Sequence, residues 1–372
     1  MTLNQNENIR YSRHLNLPQF DKKSQEKLKT SKVLVVGAGG LAAPVLQYLT
    51  AAGIGTIGVI DADKIEESNL QRQVLFDTSD IGKYKSERAV SKLKKLNPYV
   101  DFIVHKTLLN TENAIEIIKQ FDIIVDGTDN FPTRYLINDA CLLCNKPFVY
   151  ASIYQFEAQL SVFNFQKGPN YRDLFPSPPS PDLVQNCEEG GVLGVLPGIV
   201  GSIQAAEVIK IISGIGEPLS GKLLLIDALN FEFRKVNIQK DPENPVSGHK
   251  KSIFKLIDYD IFCGIQKINN LSVKSLHDWN QKGAPFKLID VREKEEFKIS
   301  HLEAESIPLD EIENQIDKIP REGNVIFYCK SGQRSAKAIS LLQKKYDYSN
   351  LMNLEGGIMA WKNHFDPDLI IA

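Results

Sequence analysis

Cysteine is scarce and odd in number, five among 372 residues. Five thiols do not make the paired framework of a small secreted domain. Excess charge is also missing: 44 Lys and Arg against 46 Asp and Glu leave a net charge of -2. That balance gives no electrostatic reason to expect a nucleic acid or an anionic membrane as partner. Apolar runs approaching the roughly 20 residues of a membrane-spanning helix are absent. Met1-Thr2-Leu3-Asn4-Gln5-Asn6-Glu7 contains neither a basic nor an apolar leader region, so the expectation is a cytoplasmic protein with reduced thiols. What remains is 42% hydrophobic and 24% charged residues, the composition of an ordinary globular α/β protein. Single cores seldom grow past about 250–300 residues, so two domains are expected.

The chain is organised around Gly37-Ala38-Gly39-Gly40-Leu41-Ala42. A β-branched run, Lys32-Val33-Leu34-Val35-Val36, precedes it and reads as a buried parallel strand. A helix is expected over 41–52, stopping at Gly53-Ile54-Gly55. Such a turn lets backbone N–H groups of Gly37, Gly39 and Gly40 approach a phosphate at a helix N-terminus. The next strand, Ile57-Gly58-Val59-Ile60, ends on Asp61, an acidic residue about 20 positions on that suits a ribose hydroxyl. Ser68-Asn69-Leu70-Gln71-Arg72 and Lys85 follow. Amides with two cations point to a nucleoside triphosphate rather than a dinucleotide, Arg72 and Lys85 neutralising phosphate oxygens. Lys85 has a plainer alternative, a solvated helix face among Lys83, Lys92, Lys94 and Lys95.

Phe121-Asp122-Ile123-Ile124-Val125-Asp126 reads as another buried strand, running into Gly127-Thr128-Asp129-Asn130. Ligands of open parallel sheets bind beyond the carboxyl ends of strands. Asp129 there could hold Mg²⁺ on triphosphate oxygens, whereas Asp126 could equally be a turn or cap residue. Cys141-Leu142-Leu143-Cys144 has metal-like spacing but no second pair, and reads as two small buried hydrophobes. A helix over 198–213 is expected to pack on the sheet through Val200, Ile203, Ala206, Ile209 and Ile212.

In order and spacing, Gly37–Ala42, Asp61, Ser68–Arg72, Lys85 and Asp129-Asn130 resemble the adenylation core of the ThiF/MoeB/HesA proteins, relatives of ubiquitin-activating enzymes. The resemblance implies a Rossmann-like domain with a mostly parallel sheet over residues 1–248. It implies ATP at Gly40, Asp61, Asn69, Arg72, Lys85 and Asp129-Asn130, with magnesium. It implies adenylation of the C-terminal glycine of a ubiquitin-like sulfur carrier ending in Gly-Gly. It also makes Arg13 a phosphate ligand supplied by the other subunit of a homodimer. Cys187, in Asn186-Cys187-Glu188-Glu189-Gly190-Gly191, matches a loop cysteine that links to the carrier or resolves a persulfide. Its acidic neighbours raise rather than lower a thiol pKa, so a strong nucleophile is not expected. Relatives carry zinc on two C-x-x-C pairs, which would fall at Asn170 and Asp173 and at Asn244 and Ser247. None of the four is a cysteine, so no zinc is expected.

Polar, lysine-rich composition suggests a linker over 249–266, and the pattern restarts in a smaller α/β domain over 267–372. Expected there are a helix over 273–281 and strands over 286–291 and 324–328. The second strand runs into Cys329-Lys330-Ser331-Gly332-Gln333-Arg334-Ser335, with a helix over 336–345. A cysteine on a strand-to-helix loop, ringed by N–H groups with Lys330 and Arg334 beside it, stabilises a thiolate or persulfide. The loop, with Asp290-Val291-Arg292 and Leu354-Glu355-Gly356-Gly357, resembles rhodanese-type sulfurtransferases. The fusion resembles the eukaryotic molybdopterin-synthase adenylyltransferase–sulfurtransferase type. It implies sulfur transfer through Cys329, from a cysteine desulfurase or thiosulfate, to form a carrier thiocarboxylate for molybdopterin, thiamine or tRNA thiolation. A dinucleotide-dependent oxidoreductase would explain only the glycine turn and Asp61. A second domain serving only as a docking adaptor would leave Cys329 without a purpose.

Overall fold

The computed structural model describes residues 2–179, 191–264 and 268–371. The chain divides into two compact units, residues 1–264 and 265–372.

The first unit is built on eight strands: β1 (Lys32–Val36), β2 (Thr56–Ile60), β3 (Asp101–His105), β4 (Ile123–Asp126), β5 (Phe148–Tyr154), β6 (Glu157–Phe163), β7 (Lys222–Asp227) and β8 (Glu232–Asn237). Their spatial order is β3-β2-β1-β4-β5-β6-β7-β8. The pairs from β3 to β5 are parallel and those from β5 to β8 antiparallel. Because successive side chains point to opposite faces, Val33, Val35, Ile57 and Val59 enter one core and Leu34, Val36 and Ile60 the other. Both faces of the parallel part are therefore buried, which is why β1 reads as continuous apolar sequence. Gly58 is required at the centre of β2, since a Cβ there would stand 2.3 Å from the Phe121 ring. The order reverses between β1 and β4, creating the crevice at which such sheets bind ligands.

Helix Leu196–Ser213 is, among the described residues, the one helix long and apolar enough to cross a membrane. Here it packs against helix Ala42–Ala52 and β5 as a core element. Its buried face carries Leu196, Val200, Gln204, Ala205 and Val208, whereas Ala206 is exposed. Of the expected contacts, Val200 is buried and Ile203, Ile209 and Ile212 pack partly buried against the core, leaving Ala206 as the exception. Gln204 turns inward as well, donating to the carbonyls of Asp126 (2.8 Å) and Val149 (3.2 Å) and tying the ends of β4 and β5 together.

The stretch expected to be a linker, 249–266, instead belongs to the first unit as far as Gly264. The Tyr259 hydroxyl donates to Asp139 at 2.8 Å, and Arg172 forks onto the same carboxylate at 2.8 Å through each of two nitrogens. Arg172 also lies over the rings of Tyr135 and Phe262, 4.8 and 4.5 Å from their centres. A buried ion pair is retained when its hydrogen bonds are complete, and Tyr259 completes this one.

The four positions at which zinc-binding cysteines would fall do meet in space. Asn170 Nδ2 donates to Asp173 Oδ2 (2.8 Å) and Ser247 Oγ (2.9 Å). Asn244 Nδ2 donates to Asp173 Oδ1 (2.6 Å) and Asn170 Oδ1 (3.2 Å). Two amides, a hydroxyl and one carboxylate are not a zinc donor set, and these are engaged with each other. A hydrogen-bonded knot ties the 170–173 turn to the 244–248 turn.

The second unit has five strands, β9 (Asn269–Leu271), β10 (Phe286–Asp290), β11 (Glu305–Ser306), β12 (Asn324–Tyr328) and β13 (Leu351–Leu354), in the all-parallel order β11-β10-β12-β13-β9. β12 is central and wholly buried beyond Asn324, which delivers Cys329 to the middle of the carboxyl edge.

Asn244→Ala removes the two Nδ2 hydrogen bonds that join the turns and the Oδ1 that accepts the Val246 and Ser247 N–H groups. Asp173 Oδ1 and Asn170 Oδ1 keep the Asp241 and Arg172 N–H groups, but the Val246 and Ser247 N–H groups lose their partner. Unsatisfied buried groups of this kind cost about 1–3 kcal/mol each, so the urea midpoint should fall by a corresponding amount. Prolonged treatment with a zinc chelator should leave the wild-type midpoint where it is.

Candidate functional site

At the carboxyl edge of the first sheet, the glycine turn adopts a conformation that other residues resist. Gly37 has φ +94°, and a Cβ on it would lie 2.8 Å from the Gly127 carbonyl oxygen. The loop after β4, bearing Thr128, Asp129 and Asn130, is thereby held against the turn. Asp61 braces the other side: its carboxylate accepts the Ala38 N–H and the Asp63 N–H, each at 2.8 Å. Burial pushes the Asp61 carboxyl above its ordinary pKa, opposed by those N–H bonds. Lys85 opens helix Lys85–Leu96 and is buried rather than solvated, its Nζ 3.0 Å from Asp63. Asp63, which the sequence did not single out, thus links the lysine to the turn. A Cβ on Gly40 would meet the Arg72 stem at 3.4 Å, and one on Gly39 would meet Gln73 Nε2 at 3.7 Å.

Gly37, Gly39, Gly40, Asp61, Arg72, Lys85, Asp129 and Asn130 therefore lie on adjoining loops. Ser68 lends its carbonyl to Arg72 (3.1 Å), Asn69 is buried and accepts the Glu66 N–H, and Leu70 packs into the core. Gln71 is exposed and lies against Gly194. Gln73 is buried beside the turn with its Oε1 unpaired. It continues the polar run and was missed because a single glutamine carries no pattern. Asp126 is wholly buried and held by Thr128 and Arg134, which settles it as a structural residue. Asn130 caps helix Phe131–Leu143, accepting the Thr133 N–H at 3.0 Å, while Asp129 is exposed.

Arg13 does not join this cluster within one chain. Tyr11, two residues earlier, packs on Gly53 at the far end of helix Ala42–Ala52 and accepts a hydrogen bond from Asn97 at 2.9 Å. That helix has 11 residues, which puts about 16 Å between the glycine turn and Gly53. Cys187 lies outside the described residues.

In the second unit, Cys329 is buried. The Gly332 N–H stands 3.2 Å from its sulfur and the Ser335 hydroxyl 3.6 Å. Burial opposes ionisation of this thiol. Hydrogen bonds from the Ser335 side chain and from the N–H groups of Ser335, Ser331 and Gly332 outweigh it and hold the thiol below its ordinary pKa. Helix Gly357–Phe365 orients the loop from below, its Ile358 and Met359 N–H groups taking the carbonyls of Cys329 (2.9 Å) and Lys330 (3.1 Å). Only glycine fits at 357, where a Cβ would come within 2.3 Å of the Cys329 carbonyl. Ser335 Oγ also stands 2.6 Å from Asn353 Oδ1, so its single hydroxyl proton serves either the sulfur or that amide at any one time. Asn353 itself donates to Asn270 (3.0 Å). Arg334 is engaged by Glu296 through both terminal nitrogens, at 2.5 and 2.8 Å. By contrast, burial raises the thiols of Cys141, Cys144 and Cys263.

A doubly wound sheet with a phosphate-facing glycine turn, followed by a thiolate loop on a small parallel sheet, defines a nucleotide-dependent activating unit joined to a sulfurtransferase unit. The chain belongs to the ThiF family, whose model matches residues 11–246, and a rhodanese-like domain matches residues 272–364. It is 44% identical to "Probable adenylyltransferase/sulfurtransferase MoeZ" of Mycobacterium tuberculosis, over 99% of this chain and 96% of that one. It is 50% identical to the "Sulfur carrier protein adenylyltransferase" of Thermus thermophilus, over 69% of this chain and 97% of that one. "Adenylyltransferase and sulfurtransferase MOCS3" of Drosophila yakuba is 41% identical over 97% of this chain and 84% of its own. Among solved structures, E. coli MccB with ATP superimposes with a TM-score of 0.58 at 27% identity, covering 66% of this chain and 75% of that one.

The reaction of Cys329 with a neutral alkylating agent, in a Cys187→Ser background, should inflect at a pH below that of an ordinary thiol, near 8.5. Below its pKa the thiol is protonated and unreactive, so Ser335→Ala, which removes a donor to the thiolate, should move the inflection upward. Mass mapping of the alkylated site checks that the three raised thiols stay silent.

Proposed function

We propose that this enzyme adenylates the C-terminal glycine of a ubiquitin-like sulfur carrier ending in Gly-Gly, and then transfers persulfide sulfur to it to give a thiocarboxylate. The observation that carries this reading is the presence, in one chain, of a glycine turn with Asp61, Asp63 and Lys85 gathered beside it and of a Cys329 thiol held below its ordinary pKa by hydrogen bonds. The names of the relatives from Mycobacterium and Drosophila agree with both halves, and that of the Thermus relative with the first.

In the first half, a carboxylate oxygen of the carrier attacks the α-phosphorus of ATP and pyrophosphate leaves. The nucleophile is already ionised at neutral pH and needs no general base. The difficulty is charge, and Arg72, Lys85 and the N–H groups of the glycine turn lower it. Asp61 holds the ribose, with Ser68, Asn69, Leu70, Gln71 and Asn130 shaping the pocket. Asp129, exposed where Asp126 is already engaged by Arg134 and Thr128, would hold Mg²⁺, which neutralises triphosphate oxygens. The partner subunit of a homodimer supplies Arg13, a role favoured by its distance from the turn in its own chain.

In the second half, the terminal sulfur of a Cys329 persulfide attacks the acyl carbon and AMP leaves, forming an acyl disulfide. The Cys187 thiolate then attacks the Cys329 sulfur. The carrier departs as thiocarboxylate and a Cys187–Cys329 disulfide remains, to be reduced by an external thiol. The sulfur comes from a cysteine desulfurase or thiosulfate. The product feeds molybdopterin, thiamine or tRNA thiolation in the cytoplasm.

Carrier-dependent ATP–pyrophosphate exchange tests the first half, and Lys85→Ala should lower it by about 100-fold. Cys329→Ala should keep exchange and lose thiocarboxylate formation. Exchange with no carrier of either the molybdopterin or the thiamine type would remove the first half. Thiocarboxylate formed by Cys329→Ala from a physiological donor would remove the second.

A further inference from the structure

The loop cations were expected to serve the sulfur anion, but the charge of Arg334 is already compensated by a carboxylate. Glu296, on helix Lys294–Ile299, accepts from both terminal nitrogens of the guanidinium at 2.5 and 2.8 Å. Its position is fixed from behind, since Glu296 Oε2 also accepts the Glu293 N–H at 3.1 Å. The pair is sheltered, with side-chain exposures of 32% for Arg334 and 18% for Glu296. The Arg334 hydrogen bond in turn holds the Glu296 carboxyl below its ordinary pKa, so the fork stays closed wherever Cys329 is a thiolate. Cys329 and Glu293 both act electrostatically on the same guanidinium. The surroundings of the sulfur therefore carry a forked ion pair with a further carboxylate near it. Lys330 is exposed, and an exposed cation is screened by salt.

Glu296 occupies the end-on fork of the guanidinium and compensates its charge. A second oxyanion could therefore reach only the Nε edge and would meet a neutralised pair rather than a free cation. Thiosulfate is a dianion, and its sulfonate end needs a cation to offset repulsion from the Cys329 thiolate. A thiol persulfide, R–S–SH, brings no such group. We propose that Glu296 is a specificity-determining residue of the sulfurtransferase site, withholding Arg334 from anionic donors so that sulfur is taken from a thiol persulfide in preference to thiosulfate. The Cys329 thiolate attacks the terminal sulfur of R–S–SH. The S–S bond of the donor breaks, R–S⁻ leaves with the electron pair, and Cys329–S–SH remains. No oxidant or reductant takes part. The R group is argued only as a thiol carrier without a strong anion next to the sulfur, which suits a persulfide on a protein cysteine. This inference rests on the sulfur-transfer role of Cys329 proposed above.

The test is single-turnover loading of the full chain, read by mass as the gain of a sulfur atom at Cys329. The donors are thiosulfate and the persulfide of N-acetylcysteine amide, an otherwise uncharged thiol. Glu296→Gln keeps the shape of the side chain and its bond to the Glu293 N–H while removing the charge. The ratio of thiosulfate to persulfide loading rates should rise about tenfold, in line with the loss of one close like charge. Persulfide loading should stay near the wild-type rate, which also reports that the variant is folded. An unchanged or lower ratio overturns the proposal. A second measurement needs no variant. Added salt screens the repulsion, so wild-type thiosulfate loading should quicken as ionic strength rises, whereas slowing would mean that a cation receives the dianion and would overturn it too. Cys329→Ser separates the two levels. Loading by either donor in that variant removes the sulfur-transfer reading itself, whatever Glu296 does.

Discussion

The nucleotide-binding end of the first unit depends on a steric constraint, the near-contact of two backbones where no Cβ has room. Gly37 and Gly127 meet at the point where the sheet order reverses, and a Cβ on either would approach a carbonyl oxygen within 3 Å, 2.8 Å at Gly37 and 2.9 Å at Gly127. This contact brings the turn after β1 and the loop after β4 onto one ledge. Asp61 fixes the height of the ledge through the Ala38 N–H, and Asp63 draws Lys85 toward it. Charge is placed by this arrangement before any ligand arrives, and preorganised charge is what phosphoryl chemistry rewards.

The second unit solves a related problem with the same device. Gly357 allows one helix to approach the Cys329 carbonyl, and N–H groups from that helix take up the loop's carbonyl oxygens. With its oxygens turned away, the loop presents N–H groups to the sulfur. An anion is then held by dipoles that carry no net charge, which leaves the nearby guanidinium free to be committed elsewhere. In the first unit the cations Lys85 and Arg72 are held beside the glycine turn by Asp63 and the Ser68 carbonyl, and in the second N–H groups face the sulfur while an ion pair stands nearby.

Much of this was legible in the sequence, for identifiable reasons. β1, β2, β4 and β12 are buried on both faces, so they appear as uninterrupted apolar runs ending at glycine, aspartate or cysteine. The glycine turn, Asp61 and the Cys329 loop sit directly after such runs. Lys85 was harder to read, since its neighbours make a lysine-rich helix and only the fold shows that this one lysine is turned inward onto Asp63. Residues 249–264 looked like a linker because their composition is polar. What holds them is the contact of Tyr259 with Asp139, 120 positions away, and no local pattern encodes that distance. Glu296 is one of several acidic residues on a short helix and reads as a solvated charge until Arg334 is seen beside it. On helix Leu196–Ser213 the apolar periodicity placed Val200, Ile203, Ile209 and Ile212 against the core, while the buried Gln204 was not foreseen because a glutamine reads as a surface residue.

The hydrogen-bonded knot of Asn170, Asp173, Asn244 and Ser247 has a bearing on the chemistry proposed for the other unit. Sulfane sulfur passes readily to any accessible thiolate, and a four-thiolate metal site is a cluster of such acceptors. A protein that carries a persulfide and is braced by thiolates exposes its scaffold to its own reagent. Here the brace contains only nitrogen and oxygen, and the described cysteines other than Cys329 have their thiols raised by burial. Structural integrity and sulfur traffic therefore run on different elements of the periodic table, and the supply of one metal ceases to govern whether the chain can fold.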